Sequence, residues 1–448
     1  MSAAAACAIL GLVLPCAYFR RSPPMVRRGA PQLMRSPDMP TTRTLAAKLL
    51  LPDGAAPQAR WLLLGRAMRA LVDGYVAILL PVYLLALGAD AWQVGLLSTA
   101  TLLGSALTTL AVGTWGHRVD SRRLLLAAGL LMAATGVGFA GLSAYWPLLL
   151  IAFVGTLNPG SGDVSVFLPL EQARLAHAAQ GEARTVLFAR YSIAGAMFAA
   201  LGALAAGLPD WLRQHAGVGE LAALRGMFLL YAAVGFGVWL LYRHLPHAHE
   251  IEQSPAAPLG PSRPTVIKLA ALFSIDAFAG GLVINALLAL WLFQRFHLPP
   301  ATVGLFFFCA GLLATASLLV APRVARRIGL LNTMVFTHIP SSIFLMLAAC
   351  APTAHLALGL LLGRAALSQM DVPTRNAYVM AVVTPPERTA AASFTAVPRS
   401  LAAALGPTLA GVLLGTGWPA LPLLACGALK IAYDLGLLAT FRRVRLPQ

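Results

Sequence analysis

Charged side chains are scarce in this chain: 11% of its 448 residues are Asp, Glu, Lys or Arg, and only 16 are acidic against 33 basic. Soluble domains carry about a quarter charged residues, so a water-facing globular surface is excluded for most of the length. Cysteine is equally thin. Cys7, Cys16, Cys309, Cys350 and Cys426 stand singly and mostly inside apolar runs, which argues against a disulfide framework or a metal cluster and makes them small apolar fillers. No Gly-rich loop ends in the Lys-Ser/Thr of a phosphate cradle, so ATP is not the expected driver. Neither zinc-protease spacing nor a Ser/His/Asp set occurs, and no His, Ser or Cys is read as placed with acids inside an apolar run. No enzymatic activity, cofactor or metal is therefore expected. The basic excess is not interleaved with aromatics, which excludes nucleic acid as a partner.

Apolar sequence fills the space. Hydrophobic residues make up 58% of the chain, and the mean hydropathy is +0.76. Beyond residue 64, twelve runs approach the ~20 residues that cross a ~30 Å hydrocarbon core: 67–88, 92–114, 122–143, 147–171, 185–207, 225–243, 268–293, 302–321, 330–351, 356–380, 389–414 and 419–440. The predicted fold is an all-α polytopic membrane protein of twelve transmembrane helices in two pseudo-symmetric six-helix bundles, 61–243 and 267–440. A polar, Pro-rich segment, 244–266, links them on the cytoplasmic side, and its His244, His247 and His249 read as solvated. Residues 1–60 read as a disordered cytoplasmic tail or an over-extended start, and 441–448 as a second cytoplasmic tail. Basic residues such as Arg118, Arg122, Arg123, Arg174, Arg243, Arg323, Arg326, Arg327 and Arg388 crowd one set of loops. The other set holds little beyond Arg213, Arg225 and Arg295, so the positive-inside rule puts both termini in the cytoplasm.

The halves repeat. Pro169 and Pro373, Gln172 and Asn376, Thr185 and Thr389, Gly202 and Gly406, and Gly207 and Gly411 match at one offset of 204 positions, and Asp73 matches Asp276 at 203. Such an offset across structural residues signals internal duplication. Between the second and third runs lies Gly113–Arg123, GTWGHRVDSRR, with a weaker echo in Ala321–Leu330, APRVARRIGL.

GTWGHRVDSRR resembles the signature loop of the major facilitator superfamily, Gly-x-x-x-Asp-Arg-x-Gly-Arg-Arg. Gly113, Arg118, Arg122 and Arg123 fit; His117 replaces the family Asp and Asp120 the family Gly, so the loop is degenerate. In the echo, Arg327 fits. The stretch SQMDVPTRNAYVMAVVTPPERT is similar to poorly characterised bacterial members. The resemblance covers residues 64–440 and implies a multi-pass protein of the bacterial inner membrane. It also implies a conformational clamp made of Gly113, Arg118, Arg122, Arg123 and Arg327, with Glu171 as the obvious acid partner.

Ionisable groups in mid-span cost at least about 2.5–3.5 kcal/mol each, which makes them functional candidates. Arg364, Ser368, Asp371 and Arg375 follow at steps of four, three and four, along one helix face that Pro373 is expected to kink. The competing reading is a structural Asp371–Arg375 pair. Arg399 shares a face with small residues, and Asn158 opens a Pro/Gly run that must break its helix. The candidate substrate contacts are thus Arg364, Ser368, Asp371, Arg399 and Asn158. Asp73, Asp276 and Asp371 are the candidates for proton coupling; Asp73 and Asp276 fit equally well as structural partners of Arg69 or Arg399. Lys430 and Asp434, at i,i+4, read as a self-satisfied structural pair. The expected activity is secondary transport of a small organic solute by alternating access, as proton-coupled export by a monomer in the bilayer. The alternatives are proton-symport uptake, or a receptor or enzyme on the same scaffold.

Overall fold

The computed structural model describes residues 51–52, 54–115, 119–160, 165–247, 259–384 and 387–442, with only the backbone of Thr389. The expectations for residues 1–50 and 443–448 lie outside them. Every regular element described is a helix. In chain order these are α1 (Ala59–Ala86), α2 (Ala91–Trp115), α3 (Ser121–Gly141), α4 (Tyr145–Val154), α5 (Phe167–Ala178), α6 (Gly181–Leu204), α7 (Leu208–Ala216), α8 (Glu220–Tyr242), α9 (Arg263–Gly281), α10 (Asn285–Phe296), α11 (Pro300–Ile328), α12 (Leu330–Ala349), α13 (Ala354–Ser368), α14 (Asp371–Val382), α15 (Arg388–Gly415) and α16 (Leu421–Phe441).

Among the described residues, ten stretches are long and apolar enough to cross a membrane, counting α6–α7 and α9–α10 as one stretch each. The expected fourth and tenth spans are instead pairs of shorter helices. The first break, predicted from Asn158-Pro-Gly, falls where α4 ends at Val154 and the Gly155 N–H closes on the Ile151 carbonyl at 2.8 Å. Beyond it, the Pro159 carbonyl accepts from the Ala286 N–H, at the start of α10, at 3.0 Å. The second break corrects the expectation for Pro373. The chain leaves the helix at Gln369–Met370, and Pro373 lies in the first turn of α14. A missing N–H costs nothing there, so proline opens a helix rather than kinking one.

The loops gather at two ends. Residues 119–120, 179–180, 243–247, 329 and 383–384 form a basic end; residues 87–90, 142–144, 205–207, 217–219, 297–299, 350–353 and 416–420 form the opposite one. Large apolar side chains face outward between them, among them Val137, Leu150, Leu229, Leu305, Phe336 and Leu435. At the rims stand exposed tryptophans, Trp115 at the basic end and Trp146, Trp211 and Trp418 at the other. An apolar girdle edged by tryptophan is the surface a bilayer requires; the chain is a multi-pass membrane protein.

The two halves share a core at one end only. One buried apolar cluster runs through the first half and on into Ala279–Leu292, Val303–Phe307 and Ala410–Leu414 of the second, toward the opposite end. The second cluster, Val266, Phe273, Tyr378, Tyr433 and neighbours, lies toward the basic end and belongs wholly to the second half. Across the halves α2 packs on α15 and α6 on α11. Both contacts use glycine: a Cβ on Gly95 would meet the Pro407 carbonyl at 2.4 Å, and one on Gly304 the Ala203 carbonyl at 2.3 Å.

Candidate functional site: two buried charge networks

In the first half α1 carries Arg69 into the bundle interior, where its Nη2 donates to both carboxylate oxygens of Glu171 at 2.5 Å. Tyr191 of α6 and Tyr242 of α8 donate their hydroxyls to the same carboxylate, one to each oxygen. The guanidinium also lies over the Phe167 ring at 4.0 Å. Glu171 is fully buried, and three donors around it supply what a buried carboxylate needs. Asp73, one turn beyond Arg69 and half-buried, interacts electrostatically with Arg69, Tyr75 and Tyr231.

The second half carries the opposite sign at the equivalent place. Position 375 follows 171 by the repeat offset, and an arginine stands where the first half has a glutamate. Arg375 Nη1 donates to Asp371 Oδ2 at 3.0 Å and to Asp276 Oδ2, on α9, at 3.3 Å. The other oxygen of Asp276 accepts from Lys430 Nζ of α16 at 2.7 Å. Lys430 Nζ lies 3.2 Å from His338 Nε2 on α12, and His338 Nδ1 lies 3.0 and 3.1 Å from the two Asp434 oxygens. Six ionisable groups on four helices therefore form one chain.

This arrangement revises two expectations. Lys430 and Asp434 do not satisfy each other; Lys430 reaches across to α9 and Asp434 to α12. A side chain facing the bundle interior meets counter-charges on neighbouring helices, and these win over the partner one turn along. Second, a histidine does stand among acids inside an apolar run, contrary to the sequence reading. The signal was His338 itself, the lone ionisable residue of Leu330–Ala349. Asp276 takes Arg375 and Lys430 as its partners, not Arg69.

The two arginines proposed for the substrate stand on different helices and meet different groups. Arg364, on α13, interacts electrostatically with the Cys426 thiol of α16, while its carbonyl accepts from Ser341 Oγ at 3.4 Å. Arg399, on α15, lies in the field of Arg375, Asp276 and Asp371, with its Nε buried and without a hydrogen bond. Among the described residues neither guanidinium has an ion pair. Ser368 ends α13 and donates to the Ala365 carbonyl at 3.5 Å, so the break separates Arg364 and Ser368 from Asp371 and Arg375. Asn158 is buried and its Oδ1 accepts from the Gly160 N–H at 3.1 Å; Asp163 lies outside the described residues.

The basic turn docks on its own half. Asp120 caps α3 by accepting from the Arg122 N–H at 2.9 Å, and its carboxylate meets His247 Nδ1 at 2.7 Å and Arg174 Nη2 at 3.5 Å. Arg122 donates to the Arg243 carbonyl at 2.6 Å and lies 2.7 Å from His247 Nε2. Glu171, expected as the acid of this turn, is instead enclosed by Arg69, Tyr191 and Tyr242; the acid the turn does use is its own Asp120. His247 is thus engaged, and His244 stacks on Trp61 at 5.2 Å; His249, Arg118 and His117 lie outside the described residues. Gly113, Arg123 and Arg327 are exposed. A Cβ on Gly113 would meet nothing, and the Arg123 and Arg327 guanidiniums have no partner among the described residues. Glu387, just before α15, ties the start of α9 to that helix. Hydrogen bonds from Ser262, Thr384 and the Gly260 N–H hold its carboxyl below the usual range.

Duplicated helical bundles that span a membrane, meet at one end and bury an ionic network apiece define a polytopic membrane carrier. The sequence pattern of the Major Facilitator Superfamily matches residues 62–362 and again 269–448, and the chain belongs to that superfamily of transporters. It is 24% identical over 413 residues to the uncharacterized membrane protein YJR124C of Saccharomyces cerevisiae, a match covering 84% of this chain and 92% of that protein. It is 28% identical over 143 residues to the uncharacterized MFS-type transporter YcaD of Salmonella dublin, covering 32% of this chain and 36% of that one. Among solved structures, the nucleoside transporter NupG superposes with a TM-score of 0.67 at 16% identity, over 87% of this chain and all (100%) of NupG. A bacterial homolog of the human lysosomal transporter Spinster, inward-facing and occupied, gives 0.69 at 14%, over 86% and 96%.

Proposed function

We propose that this chain is a secondary active transporter that exports a small organic solute in exchange for protons, as a monomer with both termini in the cytoplasm. The pairs α4–α5 and α13–α14 each complete one crossing in this reading, which makes twelve crossings in two six-span bundles. The observation that carries it is the uneven seam between the halves. They share apolar packing at the opposite end, while the basic end has its own cluster in the second half and leaves Arg123 and Arg327 exposed. By the positive-inside rule the basic end faces the cytoplasm, so this state is open inward with its clamp released. Rocking the bundles about the seam exposes the middle of the molecule to the other side. Arg364 and Arg399, cations without ion pairs among the described residues, favour an anionic or polar solute, with Ser368 and Asn158 as the further candidate contacts. Asp73, Asp276 and Asp371 are the carboxylates available for proton coupling.

The test is reconstitution into liposomes with an imposed pH gradient and a panel of labelled organic anions and polar solutes. Solute efflux driven by an inward proton gradient is the expected result. Flux indifferent to the gradient, with coupling unchanged in Asp73→Asn, Asp276→Asn and Asp371→Asn, rules out the proton mechanism. Arg364→Ala should lose solute binding at normal folded yield.

A further inference from the structure

We propose that His338 is a further proton-binding group of this carrier, beside the carboxylates named above, and that its protonation exchanges the partner of Asp276 and so acts on the broken helix α13–α14. The inference rests on the transporter reading above. Donor accounting fixes the state of the ring. A lysine ammonium only donates, so the 3.2 Å contact of Lys430 Nζ with His338 Nε2 makes Nε2 an acceptor. The ring is then neutral, with its hydrogen on Nδ1 pointing at Asp434. Buried histidine beside a carboxylate in this tautomer is the arrangement that prepares the far nitrogen to take a proton.

A proton arriving at Nε2 turns that acceptor into a donor. It then faces the Lys430 ammonium, cation against cation at hydrogen-bond distance, and that contact becomes repulsive. Asp276 Oδ1 already lies 3.8 Å from the same nitrogen. The imidazolium can take that oxygen, and Lys430 must leave it. Asp276 is the joint of the network, because its other oxygen holds Arg375 and Arg375 holds Asp371. Asp371 is the first residue of α14, beside the break at Gln369–Met370. One proton therefore changes the charges around the point where the tenth crossing is interrupted.

The other groups around the ring fit this assignment. From α16 come Lys430, Asp434 and the Tyr433 ring, edge-on at 6.1 Å; from α9, Asp276. From α14 come Asp371 and Arg375, one bond further off. From α13 comes Arg364, whose carbonyl accepts from Ser341, one turn along α12 from His338. The charged groups of α11, Arg323, Arg326 and Arg327, sit in its last turns at the basic end. With the three aspartates ionised and Arg375 and Lys430 charged, the six-group network is one negative charge over balance when His338 is neutral, and protonation cancels it. Each member of the network is at most 13% exposed, so the pair His338–Asp434 holds a proton away from bulk water.

The test follows the seam rather than the unknown solute. Spin labels are coupled to keto-bearing unnatural residues at Val119 and Ile328, exposed positions at the basic end, in the full-length chain. Their separation is then measured in nanodiscs from pH 5 to 8. The expected result is a two-population distribution whose balance shifts between the two ends of that pH series, with the shift abolished in His338→Asn. That amide keeps a donor for Asp434 and an acceptor for Lys430 but does not titrate. His338→Gln must behave likewise should the asparagine variant fold poorly. A pH-independent wild-type distribution overturns the proposal, and so does a shift that survives both substitutions. In either case solute flux in the liposome panel reports separately on the transport reading, which stands if flux persists and fails if the folded wild type moves none of the panel.

Discussion

A carboxylate with no exposed surface persists only where donors replace its water, and Glu171 has three of them. Removing one member of such a buried pair strands the other, at a cost of about 3–5 kcal/mol, whereas replacing both by apolar groups of similar size is often neutral. Glu171→Gln should therefore lower the melting temperature in detergent more than the double change Arg69→Met with Glu171→Met, and an equal or smaller effect of the single change would mean that the pair is not held as described. Glu387 supplies a second residue-scale case, outside the spans. Its folded pKa lies below its ordinary value of 4.5, so the stability it contributes is complete above that pH and is lost as pH falls through the depressed value. Acid melting curves below about pH 4.5 should flatten in Glu387→Gln; a wild-type acid slope retained in that variant would assign the slope to other groups. Which residues carry charge at depth was legible from the sequence, because an apolar run makes each ionisable side chain conspicuous. The pairings were not. The i,i+4 rule matched Lys430 with Asp434, but partner choice is set by which helices face each other, and that geometry appears only on folding. His338 escaped notice for a related reason: a count of formal charges leaves histidine out.

Helix spacing explains what the repeated glycines do. Gly202 and Gly207, like Gly406 and Gly411, are five residues apart; at 100° per residue of α-helix Gly406 and Gly411 point about 140° away from each other, and Gly207 ends the short 3-10 turn that follows α6. The first of each pair meets its own half: a Cβ on Gly202 would lie 1.8 Å from the Leu71 carbonyl, and one on Gly406 would lie 2.5 Å from the Gly281 carbonyl carbon. The second meets the other half, Gly207 against Ala301 and Gly411 against Ala91 and Gly95. The offset of 204 marked all four as repeated structural positions, but not the division of labour, which depends on helix rotation. Two different phenotypes follow. Gly406→Ala should reduce folded yield, since neither backbone can retreat within one bundle. Gly411→Ala should fold and instead separate the bundles at the opposite end, seen as increased labelling there by a membrane-impermeant reagent. Identical losses of yield from both substitutions would show that the seam is as rigid as the bundles. The breaks in α4–α5 and α13–α14 divide in the same way. Asn158-Pro-Gly announced the first, while Pro373 pointed three residues past the second, because proline is as comfortable in a first turn as at a kink.

At the scale of the molecule the duplication has a physical use. Two bundles of one architecture bury networks of opposite polarity at matching places, Glu171 with Arg69 in one and Arg375 with Asp276 in the other, so each half meets its buried charges with partners of its own. What joins them is the apolar and small-residue seam toward the opposite end, together with a few polar contacts. One of these is a pair of threonines on α2 and α15: Thr408 Oγ1 lies 2.8 Å from Thr99 Oγ1, and the Thr408 N–H donates to the same oxygen at 3.0 Å. Cysteines there would bring two thiols close to the ~2.05 Å of a disulfide with little backbone movement. If transport requires this seam to part, Thr99→Cys with Thr408→Cys should carry solute in reductant and stop under oxidation, with reductant restoring flux and either single variant unaffected. Oxidised protein that still transports would mean that the bundles do not separate along α2 and α15. The opening at the basic end would then have to serve both sides of the cycle, which a carrier that alternates access cannot do.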